Sequence, residues 1–470
     1  MPQPALQAHP VPRFLGLLLG FVTGTDFLSS LSLLIAHEAV RAGLGASAAG
    51  FVWIMTIYAA AGLVMTPGLE RLARRWHYRD LLAWSLGLFV LGSGLAAASD
   101  SLPGMLASRV IQGLGGGSLF TLSRVYLQLA VPTEARPVHV RGFILGLMGS
   151  TAPMAWLTAL LVQEAGWRAV FLLQGGVGLL VLLPVLFLVR AEHHTPQALG
   201  RLNWGMIAAF AAGALLLLHG LEDLQIERFG LRHILTLGLA TLLIALATRQ
   251  LLRDHDPLLD PRALGGRRYL AGLAFYGLYY LINGAASFIY PKLLEEGAGL
   301  SLSATGALLS LSGAATALLL PVYFVLTPRL GDRRRLMAAG FALAGVALVW
   351  MSLRIEPGTP ATALLLPMLL KGLFPVLCVV QIAGLTYREV AHEDFAHAYA
   401  MKNVMRQVVI ALAAGLASQG WQARTAHHHA LSPGALEGLV AARAGTDLLL
   451  FLALLCLLAA PLALRQDRLR

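Results

Sequence analysis

A carboxylate inside an apolar run of membrane-crossing length is the most chemically suggestive residue of the chain. Asp26 lies about 12 residues into the run 14–36, or about 18 Å from its start at 1.5 Å per helical residue. An ionisable group there is costly to bury and is usually paired or functional. Arg109 enters the run 104–129 from the opposite side by about five residues, or about 8 Å. In a hydrocarbon core about 30 Å thick the two reach comparable depths and can meet. Such a pair supports reversible proton binding at Asp26, with Arg109 changing the proton affinity as its surroundings rearrange. The competing reading is a static ion pair that fixes helix register.

Other polar residues at membrane depth are candidates for contact with a bound molecule. Tyr276, Tyr280 and Asn283 fall on one helical face by their spacings of four and three. An aromatic face with one amide suits a large, partly apolar molecule, an organic cation among them. Lys371, near the middle of the run 361–386, offers a positive charge to an anionic group or a buried acid. Gln112 is polar at depth, and Trp53, Tyr58, Trp156 and Gln381 are further candidates for the same cavity. The run Gly113, Gly115, Gly116, Gly117 lacks the following Lys-Ser/Thr and the preceding strand of a phosphate loop, so it is read as helix packing. His427, His428 and His429 are adjacent, which is not ligand spacing on a helix, and are read as a solvated loop. No metal, cofactor or nucleotide site is expected.

The elements that must position these residues are membrane helices. The 470 residues are 57% hydrophobic and 13% charged, about half the charge of an ordinary soluble protein. Apolar runs fall at 14–36, 47–67, 81–99, 104–129, 142–163, 169–189 and 204–221. The remainder fall at 231–250, 268–291, 303–327, 335–353, 361–386, 399–420 and 444–464. The run 399–420 is interrupted by Lys402, Asn403 and Arg406. Most of the 35 basic residues fall in alternate loops, as topology signals do, which sets aside nucleic acid as the explanation of the net charge of +11. An even count of about fourteen spans then places both termini in the cytoplasm. The first run is too long for a cleaved leader and is read as a retained span. Cys378 and Cys456 both lie in apolar runs, which argues against a disulfide framework.

A faint repeat links the loop Leu69 to Leu82 with the loop Pro328 to Met337. Each is the second loop of a six-helix block once 204–221 and 231–250 are set aside. The expected all-α organisation is a six-helix half over 1–200, two inserted helices over 201–262 and a second half over 263–470, the repeat logic of many secondary transporters.

These loops and the helices around them resemble the major facilitator superfamily, and within it the fourteen-helix drug:proton antiporter group. Arg109-x-x-Gln112-Gly113-x-Gly115-Gly116-Gly117 is similar to the family's span-4 motif. Thr25-Asp26-Phe27, Trp53-x-x-Thr56-x-Tyr58, Trp167-Arg168, Asn403-x-x-Arg406-Gln407 and Arg424…His428…Leu431 resemble the same group, in order along the whole chain. The loop after span 2 departs from the family's pattern, with Glu70 for a Gly, Arg74 for the Asp and His77 for the second Gly; its second-half copy keeps the acid as Asp332 beside Arg333. The resemblance implies a conformational latch through Arg75, Arg79, Asp332 and Arg333, rebuilt in the first half around Glu70 or Asp80. Span 5 also departs, since Pro153 is followed by Ala155 and Trp156 where the family's antiporters carry paired glycines.

The resemblance implies a proton-coupled exporter of small organic molecules, not an enzyme, working by alternating access in the inner (cytoplasmic) membrane. A periplasmic adaptor protein is a further partner known for such relatives. The span-5 departure favours a second expectation, a metabolite importer or facilitator. A membrane-embedded lipid enzyme would need clustered acids or histidines, which the scattered acids do not supply.

Overall fold

A computed structural model describes residues 11–73, 75–190, 204–224, 226–251, 265–326, 332–390 and 394–466. Every apolar run becomes helix, as lipid requires: without water, backbone N–H and C=O groups must be satisfied within the segment. In order these are α1 (Leu15–Ile35), the short α2 (His37–Gly43), α3 (Ala48–Ala73), α4 (Tyr78–Ala97), α5 (Leu102–Ala130), α6 (Arg136–Thr151), α7 (Met154–Ala165) and α8 (Trp167–Leu188). Then come α9 (Trp204–Asp223), α10 (Leu231–Leu251), α11 (Arg267–Lys292), α12 (Leu302–Leu326), α13 (Arg333–Arg354), α14 (Leu365–Lys371), α15 (Val380–Thr386), α16 (Phe395–Leu431) and α17 (Glu437–Arg465). Among the described residues, twelve helical segments are long and apolar enough to cross a membrane. The chain is a multi-pass membrane protein. The further two expected crossings, α5 and α9, are helices of 29 and 20 residues packed among the others.

Two expected spans are broken. The run 142–163 divides into α6 and α7 at Ala152-Pro153, because proline lacks the N–H that would continue the ladder. The run 361–386 is a turn of 3₁₀-helix, α14, a π turn at Pro375–Val379 and α15. In contrast, α16 runs on to Leu431, so His427 to His429 end a helix and not a loop. His428 Nε2 lies 2.8 Å from Asp447 of α17, and Arg424 joins the same carboxylate at 2.5 Å.

Separate cores hold the two ends of the chain together. One is built from α11–α17 around Tyr276, Phe341, Trp421 and Cys456; another from α1, α3–α6 and α8 around Leu19, Leu82 and Val185. Both cysteines are buried free thiols. Backbones come into direct contact where α1 crosses α6. Gly16, Gly20 and Gly24 recur every four residues on α1, and a Cβ at Gly20 would sit 2.2 Å from the Phe143 carbonyl oxygen. Small residues at this spacing let two backbones touch. The glycines of α5 do the same, Gly113 against the Tyr58 carbonyl and Gly117 against Gly62 of α3.

The inserted pair does not stand apart. A cluster of Leu63 (α3), Leu218 and Leu221 (α9) and Ala411 (α16) wedges α9 between helices from the two ends of the chain. Behind it, α10 presents Leu235, Leu239, Leu242 and Leu246 outward, a lipid-facing stripe. The expected boundaries at 200/201 and 262/263 lie outside the described residues.

Candidate functional site

Between the two helix groups lies a cavity of about 520 Å³, in the range that holds a drug-sized molecule. At one end Arg124 of α5 donates to Tyr399 Oη of α16 at 2.6 Å. At the other, α7 meets α12: the Trp156 backbone N–H donates to Ser310 Oγ at 2.9 Å, and Gly306 and Gly313 lie against Ala155 and Ala152. The glycines missing from span 5 are thus matched by glycines on the helix that faces it.

Asp26 is buried at the cavity wall, 5% exposed. Tyr58 donates to its Oδ1 at 2.7 Å, and Arg406 Nη2 of α16 lies 3.4 Å from its Oδ2. The ion pair therefore joins the first helix group to the second. This corrects the expected pairing. Arg109 forms no ion pair with Asp26; its guanidinium stacks 4.1 Å from the centre of the Tyr58 ring and donates to Ser29 Oγ, Gln112 Oε1 and the Ile54 carbonyl. Tyr58 touches both, its hydroxyl on Asp26 and its ring face under Arg109.

The tyrosine face is placed as its spacing predicts. Tyr276, Tyr280 and Asn283 all line the cavity, the two rings parallel at 6.0 Å. Lys371 lines it too, its ammonium 4.8 Å from the Tyr290 ring centre. Four other candidates turn elsewhere. Gln112 donates to Ser93 and Gln174, filling its amide inside the first helix group. Gln381 donates to Tyr323 Oη at 2.5 Å. Trp53 stacks at 3.8 Å on His219 of α9, and Trp156 is 44% exposed. A polar side chain in an apolar run can be satisfied by another such run as readily as by a cavity.

The expected latch residues make contacts close to home. Asp332 caps α13 by accepting from the Arg334 N–H at 3.0 Å and holds the Arg334 guanidinium, which reaches the Leu464 carbonyl of α17. That guanidinium keeps the Asp332 carboxyl below its ordinary range. Arg333 rests against Gly384. Arg79 pairs with its neighbour Asp80 at 2.9 Å and Arg75 lies over Trp76. The side chains of Glu70 and Arg71, and residues 74 and 327–331, lie outside the described residues.

Sequence reasoning missed four charged cavity groups, Arg124, Glu222, Lys402 and Arg406. Glu222, on the inserted α9, is 7% exposed, lines the cavity and accepts a hydrogen bond from Thr56 of α3. Its signal was an acid one residue past the expected end of 204–221. Lys402 lines the cavity from α16, one turn before Arg406; these charges had marked 399–420 as an irregular span. Close to Glu222, Asp223, Glu227 and His233 cluster at ligand distance, and Arg232 already bridges both acids.

Comparison with known proteins agrees with this architecture. Multidrug export protein EmrB of Escherichia coli K12 is 25% identical over 422 residues, covering 88% of this chain and 80% of that protein. Its namesake in Haemophilus influenzae is 24% identical over 434 residues, covering 88% and 81%. Among solved structures, an auto-inhibited POT family peptide transporter superposes with a TM-score of 0.65 at 18% identity, covering 97% of each chain. The POT family transporter PepTSo gives 0.65 at 15%, covering 97% and 98%. These last likenesses speak to the fold alone. The sequence profile of the Major Facilitator Superfamily matches residues 15–252, just over half of the chain. With its helix groups enclosing a central polar cavity, the chain belongs to the major facilitator superfamily of transporters.

Proposed function

We propose that this transporter is a proton-coupled exporter of small organic molecules, a multidrug or metabolite pump working by alternating access. The observation that carries the reading is the Asp26–Arg406 pair, a buried carboxylate whose counter-ion belongs to the opposite helix group. Rocking that separates the two groups at this point lengthens the pair. Losing Arg406 leaves an unpaired charge at low dielectric, and protonation of Asp26 removes it. Conformation and proton occupancy are thereby linked, with Tyr58 and Arg109 completing the setting. The similarity to the EmrB proteins, named for multidrug export, supports export as the direction.

In this reading the fold is two six-helix halves, 1–200 and 263–470, joined by inserted helices within 201–262. The chain crosses the inner membrane fourteen times with both termini cytoplasmic, as the basic loops favour. Substrate contacts are Tyr58, Tyr276, Tyr280, Asn283 and Lys371, all at the cavity wall. A periplasmic adaptor protein is the partner an exporter of this kind would use to pass substrate onward. Complementing a deletion strain tests the reading: the wild-type gene raises resistance to, and efflux of, at least one class in a panel of dyes and antibiotics. Equal susceptibility and retention with and without the gene across the panel contradicts it.

Glu222 is the second carboxylate in this coupling scheme, and it gives the inserted helices a working role. Glu222→Gln keeps the size and the hydrogen bond to Thr56 but cannot ionise. The expected result is a changed pH dependence of proton-driven transport with near-normal thermal stability. A pH profile identical to wild type would reduce Glu222 to a packing contact.

A further inference from the structure

The cavity's charges are unbalanced. Arg109, Arg124, Lys371, Lys402 and Arg406 line it, against Asp26 and Glu222, five basic groups to two acidic. Both acids are already engaged, Asp26 by Arg406 and Tyr58, Glu222 by Thr56. Three of the bases are engaged as well: Arg406 by Asp26 and Asn403, Arg109 by Ser29 and Gln112, Arg124 by Tyr399. The two lysines are different. Lys402 is 7% exposed and its ammonium lies 4.5 Å and 4.6 Å from the ring centres of Tyr276 and Phe120. Lys371 lies over Tyr290 alone. Neither has a hydrogen-bond or ion-pair partner among the described residues. Close by, the Asn403 Nδ2 donor is buried without a partner.

Ring faces hold an ammonium in place but do not neutralise it. A buried cation without an acid is retained at a cost unless something supplies the anion. The rings that flank Lys402 come from both helix groups, α5 and α11, so an anion seated there touches both. We propose that Lys402 forms an anion subsite and that the exported substrates are amphipathic organic anions; Lys371, over a ring 14 residues further along α11, or about 21 Å at 1.5 Å per residue, stands apart from it. Their apolar or aromatic body lies on Tyr276 and Tyr280, and their carboxylate, sulfonate or similar group meets Lys402. An organic cation in the same space would face the surplus of basic groups with both acids occupied. The assignment rests on the transport reading above and sharpens it: with the cell interior negative, an anion leaving and a proton entering both move with the membrane potential.

Tetraphenylborate and tetraphenylphosphonium, nearly identical in size and shape and opposite in charge, are the probes. Binding of each to the purified full chain is measured by equilibrium titration, and the difference between wild type and Lys402→Met cancels partition into detergent. The expected result is a loss of at least tenfold in borate affinity in Lys402→Met, no comparable loss in Lys371→Met, and unchanged or improved phosphonium affinity. Lys402→Arg, which keeps the charge, should retain borate binding and shows that Lys402→Met acts through charge and not through misfolding. Equal borate affinity in wild type and Lys402→Met, or tighter phosphonium than borate binding after that correction, overturns the proposal. An anionic lipid headgroup is the rival source of the charge. Borate affinity that collapses in phosphatidylglycerol nanodiscs but not in phosphatidylcholine ones would assign the subsite to lipid and overturn the substrate class. Binding needs no proton gradient, so this result stands apart from whether transport is proton-coupled.

Discussion

Asp26→Asn, reconstituted into liposomes with an imposed proton gradient, is expected to transport substrate no faster with the gradient than without it. Asparagine keeps the shape and still accepts from Tyr58, so the cavity retains its lining. What it cannot do is exchange a proton or attract Arg406. The substitution leaves Arg406 buried opposite a neutral group, and breaking a buried pair costs about 3–5 kcal/mol. A lower unfolding temperature should therefore accompany the lost coupling. Substrate binding measured without a gradient separates the two effects, since it should persist in the folded fraction. Asp26→Asn with full gradient-driven transport would confine the Asp26–Arg406 pair to holding the helices in register.

The second large effect is expected at the α1–α6 crossing. A Cβ at Gly20 would lie 2.2 Å from the Phe143 carbonyl oxygen and 2.9 Å from the Gly146 Cα. Both are backbone atoms, so no rotamer change relieves the contact and the helices must separate. Gly16 and Gly24 face the same helix, against His139 and Ser150, which leaves no slack on either side. Gly20→Val should destabilise the protein by about 3 kcal/mol or more, the upper end of overpacking costs. Thermal unfolding in detergent reads this directly. Gly149 is the control, because a Cβ there meets nothing within 4 Å. Gly149→Ala should be neutral or slightly stabilising, given the entropic cost of glycine in a helix.

What was legible in the sequence was local. Each apolar run became helix because lipid leaves the backbone no other choice. Tyr276, Tyr280 and Asn283 reached the cavity together because one helix fixes their common face. Arg406 was not legible as the partner of Asp26, since 380 positions separate them and they meet only across the cavity that the assembled helices enclose. Glu222 sat at the end of its run, where acids ordinarily face headgroups; the wedge of α9 between α3 and α16 buries it instead. Gln112 and Gln381 misled for the opposite reason, their amides being satisfied inside the bundle. The helical extension to Leu431 was hidden because its charged turns read as loop, whereas Asp447 pairs with Arg424 and His428. Span 5 carried the strongest argument against export. Gly306 and Gly313 on α12 weaken it, because they supply the close approach that Ala155 and Trp156 deny.

Proton-driven export is the central claim, and inside-out membrane vesicles test it most directly. Acidifying their interior by respiration should drive accumulation of substrate inside them, and an ionophore that collapses the proton gradient should release it. Substrate that instead enters right-side-out vesicles with the proton gradient, and never accumulates in inverted ones, would contradict export and make the chain an importer.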